Sequence, residues 1–258
     1  MTTTTTAAFR LDGMRALVTG ASRGIGAAVA DALAGAGADL VLTARGHQDL
    51  DVTAKSLSDR HGREVTTIVA DLSQPVSTEE LAERALSAYG GLDVLVNNAG
   101  ISIPESVVET TAAAWDATMA VNLRAPALLG SRIGAAMAAA GGGSIVNIAS
   151  AAALRALPNH HAYGASKAGL LMATKVLALE LGPQGVRANT LCPTVVLTEM
   201  GQRVWGEHEK AAPMLARIPS GQFGVPDDVA YAVVFLASPA AGMINGVDLP
   251  VDGGYGTS

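Results

Sequence analysis

Short apolar runs recur along this chain, each closed by a small or polar residue and each separated from the next by a segment with helical spacing. "MRALVTG", "ADLVLTAR", "EVTTIVADLS", "GLDVLVNNAG" and "GGSIVNIAS" are five of them. A sixth ends before residue 197, and "MINGVDLPVDGG" supplies a seventh. Runs that stay apolar instead of alternating belong to strands buried on both faces, and strands that alternate with helices run parallel. The pattern predicts a doubly wound, seven-stranded parallel sheet with helices on both faces and ligands at the strands' carboxyl ends.

No fixed-period repeat and no linker rich in Pro, Gly or Ser divides the 258 residues. Residues 11–258 are therefore expected to form one domain behind a flexible tail at 1–10. Hydrophobic residues make up 49% and charged residues 16%, enough apolar material for a dense core and unlike the composition of disorder. A net charge of −6 gives no reason to seek phosphodiester backbones or anionic lipid, so neither nucleic acid nor membrane is an expected partner. The start "MTTTTTAAFR" lacks the basic and apolar regions of a secretion signal, and no apolar stretch is long enough to suggest a membrane span. Cys192 is the only cysteine, which excludes an internal disulfide and a multi-cysteine zinc site; no metal is expected, and a reducing compartment, the cytoplasm, is. Residues 197–221 are amphipathic and broken by Gly and Pro, as a mobile lid would be.

"TGASRGIG" at 19–26 follows the first strand and opens the first helix. In that context Gly20, Gly24 and Gly26 permit a tight turn, close approach of a dinucleotide phosphate and tight packing of helix on strand, the arrangement of a Rossmann fold. Ser22, Arg23 and Ile25 lie between them. In "YGASK", Tyr163 and Lys167 are four apart and share one helix face. Taken alone, such a pair fits a solvated helix face as well as a proton donor whose phenolate is stabilised by an ammonium.

"TGASRGIG", "NNAG" at 97–100 and "YGASK" at 163–167, in this order and with Ser150 and Asn122 at suitable places, resemble the short-chain dehydrogenase/reductase family over nearly the whole chain. The resemblance implies hydride transfer between a nicotinamide cofactor and a carbonyl or secondary alcohol. It makes Tyr163 the proton donor, Lys167 its electrostatic partner and the holder of the nicotinamide ribose, Ser150 the orienter of the substrate oxygen, and Asn122 the residue that positions a water linking Lys167 to solvent. It assigns Asp71 and Leu72 to the adenine edge, Asn97, Asn98, Ala99 and Gly100 to the segment that lines the ribose and stabilises the central sheet, and Pro193, Val196 and Thr198 to the carboxamide. Thr194 stands where the family usually has glycine.

An acidic residue roughly 20 positions past the glycines suits a ribose diol, whereas arginine suits a 2′-phosphate. Here Ala44 and then Arg45 end the second run, and Arg23 adds a second guanidinium, so NADP(H) is expected over NAD(H). Similarity is greatest to members of the family acting on small ketoses and α-dicarbonyls; it places His160 and Trp205 against substrate, although His160 equally suits a helix start and Trp205 a lid anchor. The alternatives are a broad-specificity ketone or 3-oxoacyl-thioester reductase, with the same catalytic residues, and a nucleotide sensor without turnover. Segments 112–139 and 161–181 are apolar on more than one face, and the resemblance implies that they are covered in a homotetramer.

Overall fold

The computed structural model describes residues 6–257. Strands β1 (Arg15–Thr19), β2 (Asp39–Ala44), β3 (Val65–Val69), β4 (Val94–Asn97), β5 (Gly143–Ile148), β6 (Val186–Pro193) and β7 (Asp248–Val251) form one sheet in the order β3-β2-β1-β4-β5-β6-β7. Every pairing is parallel, as the uninterrupted apolar runs require. Chain order reverses between β1 and β4, where Val18 pairs with Leu42 on one side and Val96 on the other. Connections leave in opposite directions at that point, which opens a crevice at the strands' carboxyl ends.

Successive side chains of a strand face opposite sides, and the core divides accordingly. Ala16 and Val18 pack with Val29 and Leu33 of α1 (Gly24–Ala36) and with Val229 and Val233 of α9 (Pro226–Ala237). Leu17 packs on the other face with Leu81 of α3 (Pro75–Ala88) and with Leu129 and Ile133 of α5 (Ala125–Ala140). Helix α2 (His47–His61) covers β2 and β3 with Leu50 and Leu57, and α6 (His161–Leu181) lies along β5 and β6.

The expected helix at 112–139 is broken. Helix α4 (Ala112–Met119) passes into a π-helical turn (Ala120–Arg124) before α5 begins. The wider turn carries Asn122 inward, where its amide is fully buried. Segment 197–221 forms two short helices, α7 (Glu199–Trp205) and α8 (His208–Leu215). Of the expected tail, residues 1–5 lie outside the described residues, while Ala7–Phe9 form a 3-10 turn. Phe9 packs against Phe235, their ring centroids 6.1 Å apart, and Arg10 Nη1 donates to the Gly35 carbonyl at 3.2 Å, so this part is tied to the body of the fold. Among the described residues no helix is long and apolar enough to cross a membrane, and no cluster of His, Cys, Asp or Glu could hold a metal.

Candidate active site

At the head of the crevice, Gly20 and Gly24 have φ of 66° and 59°, left-handed values that other residues rarely adopt. A β-carbon at Gly26 would lie 2.2 Å from the Gly20 carbonyl oxygen, so only glycine lets α1 start this close to β1. Thr19, the last residue of β1, accepts from the backbone N–H groups of Asn98 and Ala99, each at 3.0 Å. Asn98 Nδ2 donates to the Thr19 and Gly20 carbonyls at 2.9 and 3.2 Å. The glycine loop and "NNAG" are thus bonded into one rim, with the N-terminus of α1 facing it. This glycine cradle fits a dinucleotide pyrophosphate.

Arg45, at the end of β2, and Arg23, beside the loop, are exposed, and neither guanidinium has a hydrogen-bond partner among the described residues. Asp71 lies close enough to Arg45 for that charge to help hold its carboxyl below the usual range, although the larger cause is hydrogen bonding from Ser73. The Leu72 side chain is buried in the core with Leu81 and Ala82, which leaves its backbone to meet a ligand. Asn97 points into the sheet, donating to Asn147 Oδ1 at 2.8 Å.

Ser150 follows β5, and Tyr163 and Lys167 lie on the first turns of α6, which the β5–β6 crossing brings over the same crevice. The Ser150 side chain lies close enough to the Tyr163 phenol to act on its proton. Lys167 is 4% exposed; its Nζ donates to the Ile148 carbonyl at 2.8 Å and lies 5.9 Å from the centre of the Tyr163 ring. A β-carbon at Gly100 would lie 3.5 Å from the same Nζ, so the ammonium sits between the phenol and the "NNAG" loop.

The electrostatics differ from the sequence expectation. Burial raises the Tyr163 phenol above its ordinary value, with the nearby Ser150 side chain acting the other way, where a lowering by Lys167 was expected. Burial also pushes Lys167 down to about 8. Lys167 is buried and Tyr163 half-buried, so charging either is costly, and the ammonium leans on a neutral carbonyl. Asn122 is bonded on three sides. Its Nδ2 donates to the Ile101 carbonyl at 2.8 Å and to Ser166 Oγ at 3.2 Å, and its Oδ1 accepts from Ile101 N–H at 2.8 Å. Both amide protons are occupied, so the side chain clamps the loop after Gly100.

Pro193 ends β6, and Val196 bridges to Gly224. Thr198 caps α7 by accepting from Gly201 N–H at 3.0 Å, and its methyl lies 3.3 Å from where a Gly24 β-carbon would be, so the segment reaches back to the glycine loop. His160 sits at the start of α6 with its ring edge-on to Tyr163, centroids 5.7 Å apart. Its Nδ1 lies 2.6 Å from the Pro158 carbonyl. Trp205 packs against Phe223 at 5.8 Å, the anchoring role open to it from the sequence. Sequence reasoning passed over Thr19 and Ser166, both inside quoted motifs, because a buried hydroxyl gives no signal until its partners are known.

Comparison with known proteins follows this geometry. Residues 20–256 match the family model described as enoyl-(acyl carrier protein) reductase. The chain is 44% identical over 247 residues to D-threitol dehydrogenase of Mycolicibacterium smegmatis, covering 96% of this chain and 94% of that protein. It is 44% identical over 246 residues to L-xylulose reductase of Mesocricetus auratus, covering 95% and 97%. The crystal structure of gluconate 5-dehydrogenase from Burkholderia cenocepacia in complex with NADP and tartrate superposes with a TM-score of 0.93 at 32% identity, over 99% of this chain and 100% of that one.

Proposed function

Since this chain belongs to the short-chain dehydrogenase/reductase family and is an oxidoreductase, we propose that it uses NADP(H) to interconvert a small ketose or α-dicarbonyl with the corresponding alcohol. The observation that carries this reading is the convergence of Ser150, Tyr163 and the buried Lys167 amine beside the loop at Gly100. When bound, the nicotinamide would supply or take the hydride. Ser150 holds the substrate oxygen by hydrogen bonding. Tyr163, whose raised phenol keeps its proton at neutral pH, gives that proton to the oxygen as the carbonyl becomes an alcohol, and takes it back in the opposite direction. Lys167 holds the ribose hydroxyls and stabilises the phenolate left behind. Asn122 keeps the Gly100–Ile101 backbone in place. Replacing Tyr163 with Phe is expected to lower kcat by about 10²–10⁴-fold while sparing cofactor binding; undiminished turnover would overturn the mechanism.

Arg45 and Arg23 support NADP(H): two exposed guanidiniums stand where an acidic residue would otherwise take the ribose diol. Arg45→Asp is expected to cut the kcat/KM preference for NADPH over NADH by about 10- to 100-fold, the worth of a charge-assisted hydrogen-bond pair. An unchanged ratio would refute the assignment. His160 supports a hydroxylated substrate. A carbonyl only accepts, so Nδ1 must donate to Pro158, and the neutral ring keeps an acceptor at Nε2 for a substrate hydroxyl. The names of the threitol and xylulose relatives agree with that chemistry. A second reading, reduction of simple ketones or 3-oxoacyl thioesters, is favoured by the family model's description and by exposed Ile103, Val107 and Val108 on the loop that bridges to His160. A panel of L-xylulose, diacetyl, simple ketones and a 3-oxoacyl thioester, run with both cofactors, separates the two.

In this proposal residues 11–258 act as one domain, residues 197–221 close over substrate and the lone buried Cys192 suits the cytoplasm. Leu128 on α5 and Met172, Val176 and Leu179 on α6 are exposed apolar side chains, which supports a homotetramer built on these helices.

A further inference from the structure

Helix α6 carries two hydroxyls that the proposed reaction leaves unused. Ser166 and Thr174 are both fully buried. Ser166 Oγ lies 2.7 Å from the Tyr163 carbonyl and accepts from Asn122 Nδ2 at 3.2 Å. Thr174 Oγ1 lies 2.7 Å from the Leu170 carbonyl and accepts from Asn147 Nδ2 at 2.7 Å. Because a carbonyl can only accept, each hydroxyl must turn its proton into its own helix and keep a lone pair for the incoming amide. The sense of every bond is therefore fixed: Asn122 to Ser166 to Tyr163, and Asn147 to Thr174 to Leu170.

The two arrangements share their chemistry but not their surroundings. The Thr174 line ties α6 to β5 and, through Asn147, to Asn97 of β4, well inside the sheet. The Ser166 line ends on the residue that carries the phenol, and at its other end Asn122 grips both backbone groups of Ile101, next to Gly100. Ser166 also directly precedes Lys167, whose amine reaches the same loop. Because Ser166 and Asn122 are both fully buried, a break in the line leaves an amide proton of Asn122 unpaired.

We infer that Ser166 is a positioning residue for the proton donor: with its proton on the Tyr163 carbonyl and its lone pair on the Asn122 amide, it makes the first turns of α6 and the loop at Gly100–Ile101 move as one piece. The inference rests on the proposed role of Tyr163. Thr174, about two turns further along α6, is its internal comparison, since it repeats the same bonds away from the reacting groups.

The test measures kcat, KM, the pH profile of kcat/KM and thermal stability for Ser166→Ala, Thr174→Val and Tyr163→Phe in the full chain with NADPH and an active carbonyl substrate. Ser166→Ala is expected to lower kcat about 10- to 100-fold, the effect of misplacing a reacting group by about an ångström. The limb of its pH profile that reports Tyr163 should move to higher pH. Thr174→Val should lower the melting temperature and leave kcat and the pH profile unchanged. A wild-type kcat and profile in Ser166→Ala, or an equal loss in Thr174→Val, overturns the inference. If Ser166→Ala does not fold, Ser166→Cys, close in volume but a weak acceptor, is read by the same criteria. Turnover retained in Tyr163→Phe would instead sink the underlying mechanism, which keeps the two failures apart.

Discussion

Lys167 holds its proton less tightly in the folded protein than in the unfolded chain. Below about pH 8 the amine is charged in both states, and the full cost of burying it weighs on the fold. Between about 8 and the free-lysine value of 10.5 the folded state sheds the proton first, so stability from this group rises with pH; above 10.5 both states are neutral and the cost is gone. Lys167→Met should therefore be inactive yet, without cofactor, about 1–3 kcal/mol more stable than the wild type at pH 7. Urea melts across pH test this, and the gap should close above pH 8; a wild type that is more stable throughout would contradict it. The same burial explains why Tyr163 could be named from "YGASK" while its electrostatics could not. Spacing shows that two side chains share a face, but not how much water they keep, and here desolvation is the largest influence on the phenol.

At the scale of elements, two glycines near helix starts make opposite predictions. At Gly26 of α1 a β-carbon would strike the Gly20 carbonyl at 2.2 Å, fixed backbone that cannot yield without moving the loop. At Gly130 of α5 it would meet the tip of Leu177 at 2.7 Å, which can swing aside. Gly26→Ala is expected to lose cofactor binding and more than about 2 kcal/mol of stability, whereas Gly130→Ala should stay within about 1 kcal/mol of the wild type, since alanine's helix propensity offsets the repacking. Cofactor titration and thermal melts of the two variants provide the check. The strands could be read from the sequence because runs such as "LVLT" and "DVLVN" are apolar on both faces. The π-helical turn could not, because Ala120–Arg124 continues the helical spacing of its neighbours, and only the bonds to the Ile101 backbone explain why Asn122 turns inward.

For the whole molecule, the apolar exposure of α6 is the feature a single chain leaves unresolved in energetic terms. Met172 is 61% and Leu179 77% exposed on a helix whose inner face is already packed. Sedimentation should give a tetrameric mass, and Leu179→Asp should shift it toward smaller species; a monomeric wild type would exclude the assembly. Cys192 bears on the molecule in another way. It is fully buried in β6, and burial raises its thiol to about 12. As the chain's sole sulfhydryl it is both out of reach and unreactive at neutral pH. Labelling by a thiol reagent consequently cannot outrun opening of the sheet itself, which gives this protein a native stopwatch for its own unfolding, read without any engineered probe.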